Sequence, residues 1–319
     1  MKRILITGSI AYDLLLSYEG SFPDALKGKD IDRLSVSFVA PHLKRHHGGT
    51  GSNIAWNLKL LGGDPLLVGT VGDDGGEYCS LMEERGIDTS HIERRKDSFT
   101  ATAIIGTDTG ERQIAFFHPG PDALGSWPQL SDEQDDVAWS IVSSRDPIIM
   151  MQAVRWCGKA GLPLLFDPGQ LVIAISPDEL RAAVGIARGL ICNDYEWKVF
   201  TERTGMSASD VLGSAEFLIV TKGEGGAELL QKEKGIVQTM KKIIACKPDH
   251  VVNPTGAGDA FRAGLLFGLE KKWDLADCCR LGAAMGSFAV EIEGTLMENL
   301  DREDVWERAK ETYGEELPQ

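Results

Sequence analysis

Between residues 148 and 221 the sequence alternates short apolar segments with segments that carry apolar residues at helical spacing, and this alternation constrains the fold most. Strand patterns cover residues 162–166, 190–192 and 217–221, and helix patterns cover residues 177–187 and 194–203. Strands that alternate with helices in this way form a parallel sheet with helices packed on both faces. The pattern therefore predicts an α/β fold.

Similar elements flank this region. Residues 3–7 form a short aliphatic run that predicts an opening strand, residues 53–61 predict a helix, and residues 66–71 predict a buried strand. Near the end of the chain, residues 259–269 and 275–291 are long helical patterns rich in Ala, Gly and Leu. We expect the latter two to be packed helices.

Two separated segments do not fit the α/β pattern. Residues 12–39 mix short apolar runs with glycines and charges, and residues 100–105 and 113–117 flank a turn, which predicts a hairpin. An appendage built from two distant pieces of sequence suggests a lid over the edge of the sheet that binds ligands.

At about 150 residues per domain the length fits two domains, but one large domain with a small appendage fits as well. We expect an α/β domain of residues 1–11, 49–96 and 119–319, with a small β lid of residues 12–48 and 97–118.

The charge balance limits the partners of the chain. Lys and Arg together number 33, against 48 Asp and Glu, which gives a net charge of −15. This charge repels polyanions, so we expect neither nucleic acid nor an anionic membrane as a partner. Any phosphate site would have to gather positive potential from backbone N–H groups, a few cations or a metal ion.

The cysteines and the start of the chain indicate the compartment. The six cysteines include no C-x-x-C pair, so the sequence indicates neither a zinc site nor a disulfide framework. The first apolar run is too short for the core of a signal peptide, and no stretch approaches 18 apolar residues. We therefore expect a cytoplasmic protein with reduced thiols.

The most informative stretch is residues 253–261, NPTGAGDAF, which runs into a predicted helix. Its two glycines allow close approach of a ligand to the backbone, and the helix start directs unpaired N–H groups and a positive dipole end to the same place. This pattern predicts an anion site. Asp259 would repel a phosphate there unless it takes a proton from an attacking hydroxyl or orients it. The alternative is that Asp259 only interacts with the helix dipole.

A second glycine-rich segment, residues 48–55 (GGTGSNIA), also runs into a helix. A close backbone approach combined with the Asn53 amide suits a ligand with several hydroxyl groups. The alternative is a loop in which Ser52 or Asn53 caps the helix.

Together these segments resemble the two signatures of the ribokinase-like, PfkB-type carbohydrate and nucleoside kinases. PTGAGDAFRAG (residues 254–264) resembles the C-terminal signature, and GGTGSNIAWNLKLLG (residues 48–62), followed by VGTVGDDGGEY (residues 68–78), resembles the N-terminal one. Their order and separation also fit, so the resemblance covers nearly the whole chain. It implies a mostly parallel central sheet with helices on both faces, a small β-sheet lid, and phosphoryl transfer from ATP with Mg²⁺. It also implies that Asp259 is catalytic and that the N–H groups of Gly256, Ala257 and Gly258 stabilise the transferring phosphoryl group.

Within this family, residues 8–13, 35–38 and 116–120 resemble the prokaryotic adenosine kinase branch. The resemblance implies transfer to the 5′-hydroxyl of a purine nucleoside, first of all adenosine. The substrate-binding residues that it implies are Ser9, Asp13, Ser37, Gly49, Asn53 and Gln170. The predicted lid also carries aromatic side chains that are able to stack on a base, with ordinary lid core as the alternative. These side chains are Phe38, Phe99, Phe116 and Phe117.

Two more segments resemble the nucleotide site of the family. Residues 193–196 match an N-x-x-E pattern, in which an amide and a carboxylate three residues apart share one helix face. The resemblance implies that Asn193 helps to bind ATP and that Glu196 acts on Mg²⁺ through water. Residues 221–226 resemble the nucleotide turn of the family, with a plain hairpin turn as the alternative. The ATP-binding residues implied there are Thr221, Lys222, Gly223, Gly225 and Gly226.

One departure from the family pattern concerns the start of the C-terminal signature. This chain has Asn253 where the family usually has Asp. The loss of that charge leaves open whether the protein needs a monovalent cation.

Other functions remain to be separated from this one. The sequence contains no G-x-x-x-x-G-K-[ST] segment, which disfavours a P-loop phosphotransferase, and residues 8–11 lack the glycines of a dinucleotide-binding fingerprint. A non-catalytic nucleoside-binding protein would bind its ligand without forming ADP. A sugar kinase for ribose or fructose, or an inosine or guanosine kinase, remains the alternative within the family. The sequence fits a monomer or a homodimer.

Overall fold

A computed structural model describes residues 2–28, 35–233 and 236–318. Residues 29–34, which fall in the predicted lid segment 12–48, lie outside the described residues. The strands are β1 (Arg3–Thr7), β2 (Ala11–Ser17), β3 (His42–Gly48), β4 (Pro65–Val71), β5 (Ile92–Arg94), β6 (Ala101–Thr107), β7 (Gln113–His118), β8 (Val137–Val142), β9 (Leu164–Phe166), β10 (Gly189–Asn193), β11 (Phe217–Thr221), β12 (Ala227–Glu233) and β13 (Ile236–Ile243). The α-helices are α1 (Phe22–Leu26), α2 (Thr50–Leu60), α3 (Gly76–Glu84), α4 (Pro147–Ala160), α5 (Pro177–Ile186), α6 (Asp194–Thr204), α7 (Ala208–Ser214), α8 (Ala257–Glu270), α9 (Leu275–Ala289) and α10 (Arg302–Tyr313).

The large sheet has the strand order β13-β12-β11-β10-β9-β8-β1-β4-β5. Its strands are parallel from β5 to β11, and β12 and β13 continue the edge as antiparallel strands. Buried side chains alternate between the two faces. In β10, for example, Leu190 and Cys192 pack with α4 to α7, whereas Ile191 packs on the face that α2, α8, α9 and α10 cover. A strand buried on both faces is typical of a parallel sheet. The predicted α/β fold class is confirmed.

Helices α8 and α9 pack closely because small residues meet at their contact. A Cβ atom on Gly264 would lie 2.8 Å from the backbone of Gly282. This close packing fixes α8 against α9, and both helices share a core with the large sheet, so the start of α8 has a defined position above the strand ends. Within the described part of the chain, no helix is both long and apolar enough to cross a bilayer.

A second sheet, with the order β3-β2-β6-β7, forms the lid. Its strands come from two separate stretches of sequence, as expected, while the exact domain boundaries stay a prediction. Strand pairing sets Asp13 opposite His46 on one side and opposite Ala103 on the other, and Ala103 in turn pairs with Phe117. A row of side chains thus crosses the lid from β3 to β7.

Candidate active site

A cleft of about 1440 Å³ lies between the lid and the large sheet. Its floor is formed by residues at or just after the carboxyl ends of strands, such as Ser9 after β1, Asn193 at the end of β10 and Thr221 at the end of β11. The lid contributes Asp13 and Phe117. Open α/β sheets bind ligands at this edge.

The start of α8 borders the cleft. Gly256 precedes the helix in the left-handed conformation, with φ of 87°, and a Cβ atom there would lie 3.1 Å from the Thr295 side chain. The bond from Ala260 N–H to the Gly256 carbonyl, 2.9 Å long, closes the first turn. Among the earlier amides, the Ala257 N–H donates a long bond of 3.4 Å to the Pro254 carbonyl. The N–H groups of Gly256 and Gly258 have no acceptor within the helix, so they and the positive end of the dipole remain for an anion.

Asp259 lies in this first turn and meets the second glycine-rich segment. Asn53 Nδ2 donates a hydrogen bond of 2.8 Å to Asp259 Oδ2. Asn53 is only 3% exposed, and its Oδ1 lies 2.9 Å from the Thr295 hydroxyl. The contact therefore holds the Asp259 carboxylate in a defined orientation beside the anion site.

Burial raises the pKa of Asp259 to about 7. The Arg262 guanidinium and the bond from Asn53 oppose this increase in the pKa, whereas the nearby Asp167 and Glu196 carboxylates add to it. A carboxylate with a pKa near neutrality is suited to accept a proton at physiological pH.

Glycines make room for the polar groups at the lid side of the cleft. A Cβ atom on Gly48 would lie 2.6 Å from Asp13 Oδ2, and one on Gly49 would lie 2.5 Å from the Ser9 carbonyl. Burial raises the pKa of Asp13, while His46 lowers it. Ser9, Asp13, Gly49 and Asn53 all border the cleft, as does Gln170.

Asn193 and Glu196 form a reciprocal cap at the start of α6. Asn193 Oδ1 accepts a bond of 2.7 Å from the Glu196 N–H, and Glu196 Oε2 accepts one of 2.8 Å from the Asn193 N–H. Both residues border the cleft. Burial, followed by the Asp167 charge, raises the pKa of Glu196. The N-x-x-E pattern thus has a structural role as a capping box, whatever it does for a metal ion.

Some residues implicated by the sequence lie away from the cleft. Thr221, Gly223 and Gly226 border it, whereas Ser37, Lys222 and Gly225 are outside its wall as the described residues define it. Ser37 is exposed, and the Lys222 ammonium pairs with Glu228 at 2.5 Å. Their predicted roles in binding remain predictions.

The four candidate aromatic side chains separate into two groups. Phe116 and Phe117 border the cleft and are 68% and 64% exposed. Phe38 instead packs edge-on against Tyr18 and Phe22 in the lid, which favours the alternative of ordinary lid core for this side chain. The cause is local packing: both ring centroids lie within 5.1 Å of the Phe38 ring. Phe99 is exposed but lies outside the cleft wall formed by the described residues.

Sequence analysis missed one buried ion pair at the cleft. Arg262 Nε and Nη2 each donate a bond of 2.6 Å to the carboxylate of Asp167, just after β9. Arg262 Nη1 donates a third bond, 2.9 Å long, to the Gly258 carbonyl. The available signals were a lone Arg in an apolar helix and an Asp at a strand end, neither of which identifies its partner.

The fold and the site together define a kinase of the ribokinase fold, an enzyme that transfers a phosphoryl group to an alcohol. Residues 1–301 match the model of the pfkB family carbohydrate kinases, and the chain belongs to that family. A curated relative, the nucleoside kinase of Thermoplasma acidophilum, is 32% identical over 85% of this chain and 86% of its own.

Solved structures agree with this assignment. The nucleoside kinase of Burkholderia thailandensis in complex with inosine is 32% identical, with a TM-score of 0.83 over 99% of this chain and 100% of that one. Its complex with ADP and inosine has a TM-score of 0.80 and covers 98% and 97% of the two chains. The nucleoside kinase of Methanocaldococcus jannaschii is 27% identical, with a TM-score of 0.85 over 98% and 99%. These comparisons confirm the predicted family, the ribokinase-like fold with its lid, and phosphoryl transfer to a hydroxyl group.

Proposed function

We propose that this protein transfers the γ-phosphoryl group of ATP to the 5′-hydroxyl of a purine nucleoside. The observation that carries the proposal is the position of Asp259 in the first turn of α8, held by Asn53 inside the cleft. Nucleoside kinases among the relatives, one of them in complex with ADP and inosine, support the same substrate class.

In this mechanism Asp259 accepts or orients the proton of the 5′-hydroxyl, and the N–H groups of Gly256, Ala257 and Gly258 stabilise negative charge on the transferring phosphoryl group. Asp13, Gly49 and Asn53 hold the ribose hydroxyls, with Ser9 and Gln170 beside them. The lid excludes water from the reacting atoms and so limits hydrolysis of ATP.

The far end of the cleft suits the nucleotide. Thr221, Gly223 and Gly226 bring backbone to its wall, next to Val290 and Ala245. We assign ATP to this end, with its phosphates directed towards the start of α8.

The residues present also fit Mg²⁺, which prefers oxygen ligands and keeps much of its water. The Glu196 Oε2 atom accepts the capping bond, which leaves Oε1 to hold a metal-bound water, with Asn193 next to it. Mg²⁺ neutralises charge on the ATP phosphates when it is bound.

A nucleoside fits the cleft better than a free sugar because the lid offers an apolar surface beyond the hydroxyl-binding groups. Phe117 stands at this surface, opposite Ala103, and Ala101, Ala103 and Ile105 line it, while Phe116 borders the cleft beside it. Exposed aromatic rings at a cleft are suited to pack on a planar base. Adenosine is the substrate predicted from the sequence, and the inosine complex of the Burkholderia relative favours inosine as the second candidate.

A coupled assay of ADP release tests the proposal on adenosine, inosine, guanosine, ribose and fructose, with Mg²⁺ present. We expect kcat/KM for at least one purine nucleoside to exceed that for either sugar by tenfold or more. Faster turnover of a sugar would contradict the proposed acceptor, and nucleoside binding without ADP release would support a non-catalytic binding protein. The cytoplasmic location and the oligomeric state, monomer or homodimer, stay predictions.

A further inference from the structure

The buried pair of Asp167 and Arg262 connects three elements at the floor of the cleft. Asp167 follows β9, is 1% exposed, and accepts a bond of 2.5 Å from the Ser143 hydroxyl after β8. Arg262 lies one turn beyond Asp259 on α8 and is 7% exposed. The two-pronged contact between them therefore fixes the first turns of α8 to the ends of β8 and β9.

The third bond of Arg262 reaches the reacting part of α8. Its acceptor, the Gly258 carbonyl, belongs to the same planar peptide group as the N–H of Asp259. Any rotation of this peptide group would move both the Asp259 N–H in the first turn of α8 and the backbone that carries the Asp259 side chain. Arg262 thus restrains the orientation of the Gly258–Asp259 peptide group through the Gly258 carbonyl oxygen.

We propose that Asp167 and Arg262 form a positioning pair for phosphoryl transfer, which holds the Gly258–Asp259 peptide and the Asp259 carboxylate in their reactive arrangement. This inference rests on the proposed role of Asp259. Each side-chain nitrogen of Arg262 donates one bond inside the protein, two to Asp167 and one to the Gly258 carbonyl, and the last of these connects the guanidinium to the backbone of α8.

The two charges of the pair also act in opposite directions on the ionisation of Asp259. The charged groups that face this carboxylate are Arg262 on its own helix, Asp167 after β9 and Glu196 on α6; Tyr78 on α3 is also within its electrostatic range. Arg262 favours the ionised form of Asp259, whereas Asp167 and Glu196 disfavour it. Removing one member of the pair at a time should consequently shift the titration of Asp259 in opposite directions.

Three variants test the pair: Arg262→Met, Asp167→Asn and Arg262→Lys. We expect each to lower kcat by tenfold or more, because small displacements of catalytic groups slow the chemical step, while KM for the nucleoside changes less than threefold. In the pH profile of kcat/KM, the acid limb should move up by about one unit in Arg262→Met and down by about one unit in Asp167→Asn. Arg262→Lys retains the charge but loses the two-pronged geometry, so its kcat should fall with the acid limb unmoved.

The pair formed by Arg145 and Asp122 is the matched control. Arg145 is also buried, Asp122 is partly buried, and both border the cleft, but Arg145 bonds to Asp122, Thr7 and Thr70 and not to α8. Arg145→Met breaks a similar ion pair, and its acid limb should stay at the wild-type position.

The outcomes separate this inference from the proposed function. Unchanged kcat in the Asp167 and Arg262 variants, or acid limbs that move in the same direction, would overturn the positioning role even if Asp259→Asn is inactive. An active Asp259→Asn variant would instead overturn the proposed role of Asp259, and the inference with it.

Discussion

Asn53 and Asp259, which are 206 residues apart in the chain, meet in a hydrogen bond of 2.8 Å between the starts of two helices. Each helix follows a glycine with positive φ, Gly49 before α2 and Gly256 before α8. The bond thus joins the segment expected to hold hydroxyl groups to the segment expected to hold a phosphoryl group. A group bound by one helix start is brought next to the other.

The first prediction concerns Asn53. Asn53→Ala removes a donor to a charged oxygen, an interaction that contributes about 1.5–3 kcal/mol. Because this bond lowers the pKa of Asp259, we expect the acid limb of the kcat/KM profile to move to higher pH in the variant and kcat to fall at pH 7. Steady-state kinetics between pH 5 and pH 9 measure both effects. An unmoved acid limb would show that Asn53 does not act on the base.

The second prediction concerns stability. Since burial raises the pKa of Asp259 above that of an unfolded Asp, the folded state binds this proton more tightly, and its contribution to stability is lost as the pH rises towards 7. Asp259→Asn removes a partly buried charge, so we expect it to be more stable than the wild type at pH 8, by roughly 1 kcal/mol or about 1–2 °C in Tm. At pH 4 the difference should disappear. Thermal unfolding at both pH values checks this, and a less stable variant at pH 8 would contradict it.

The third prediction concerns the left-handed Gly256. Gly256→Ala adds backbone strain and a Cβ atom 3.1 Å from Thr295, so we expect a loss of about 1–2 kcal/mol in unfolding free energy together with a fall in kcat of tenfold or more. Gly314→Ala is the matched control, because Gly314 has a φ of 73° with nothing within 4 Å of the added Cβ atom. The control should lose similar stability and no turnover. Equal turnover in the two variants would show that the turn before α8 does not matter for chemistry.

The fourth prediction concerns base recognition by the lid. Phe117→Ala removes an aromatic ring whose stacking on the base contributes about 0.5–1.5 kcal/mol of binding free energy. This loss corresponds to a rise of roughly 2–12-fold in KM for the nucleoside. Ribose has no base, so any turnover of ribose should be unaffected. Phe99→Ala is the control, since Phe99 is similarly exposed but outside the cleft wall. An equal effect on nucleoside and ribose would contradict stacking.

The sequence predicted those parts of the site that depend on local signals. Glycines that lead into a helix start predict an anion site because the turn and the unpaired amides belong to one short segment. For the same reason Gly256 and Asp259 were assigned from the sequence and border the cleft in the structure. The alternating strands and helices likewise predicted the parallel sheet.

Local sequence signals could not predict which side chains meet in the tertiary structure. Arg262 interrupts an apolar helix, and only the packing of α8 on the large sheet shows that Arg262 pairs with Asp167. Phe38 and Phe117 look equivalent as lid aromatics in the sequence, but one packs into the lid and the other borders the cleft. Which face of a lid strand meets the cleft depends on how the lid sits on the sheet.

The turnover of Asp259→Asn, measured as ADP release at pH 8 with saturating purine nucleoside and Mg²⁺-ATP, tests the central claim most directly. Asn is isosteric with Asp but cannot accept the hydroxyl proton, so we predict a fall in kcat by a factor on the order of a hundred or more. Nucleoside affinity, measured by calorimetry, should stay within a few-fold of the wild type. Turnover within tenfold of the wild type would contradict the assignment of Asp259 as the base.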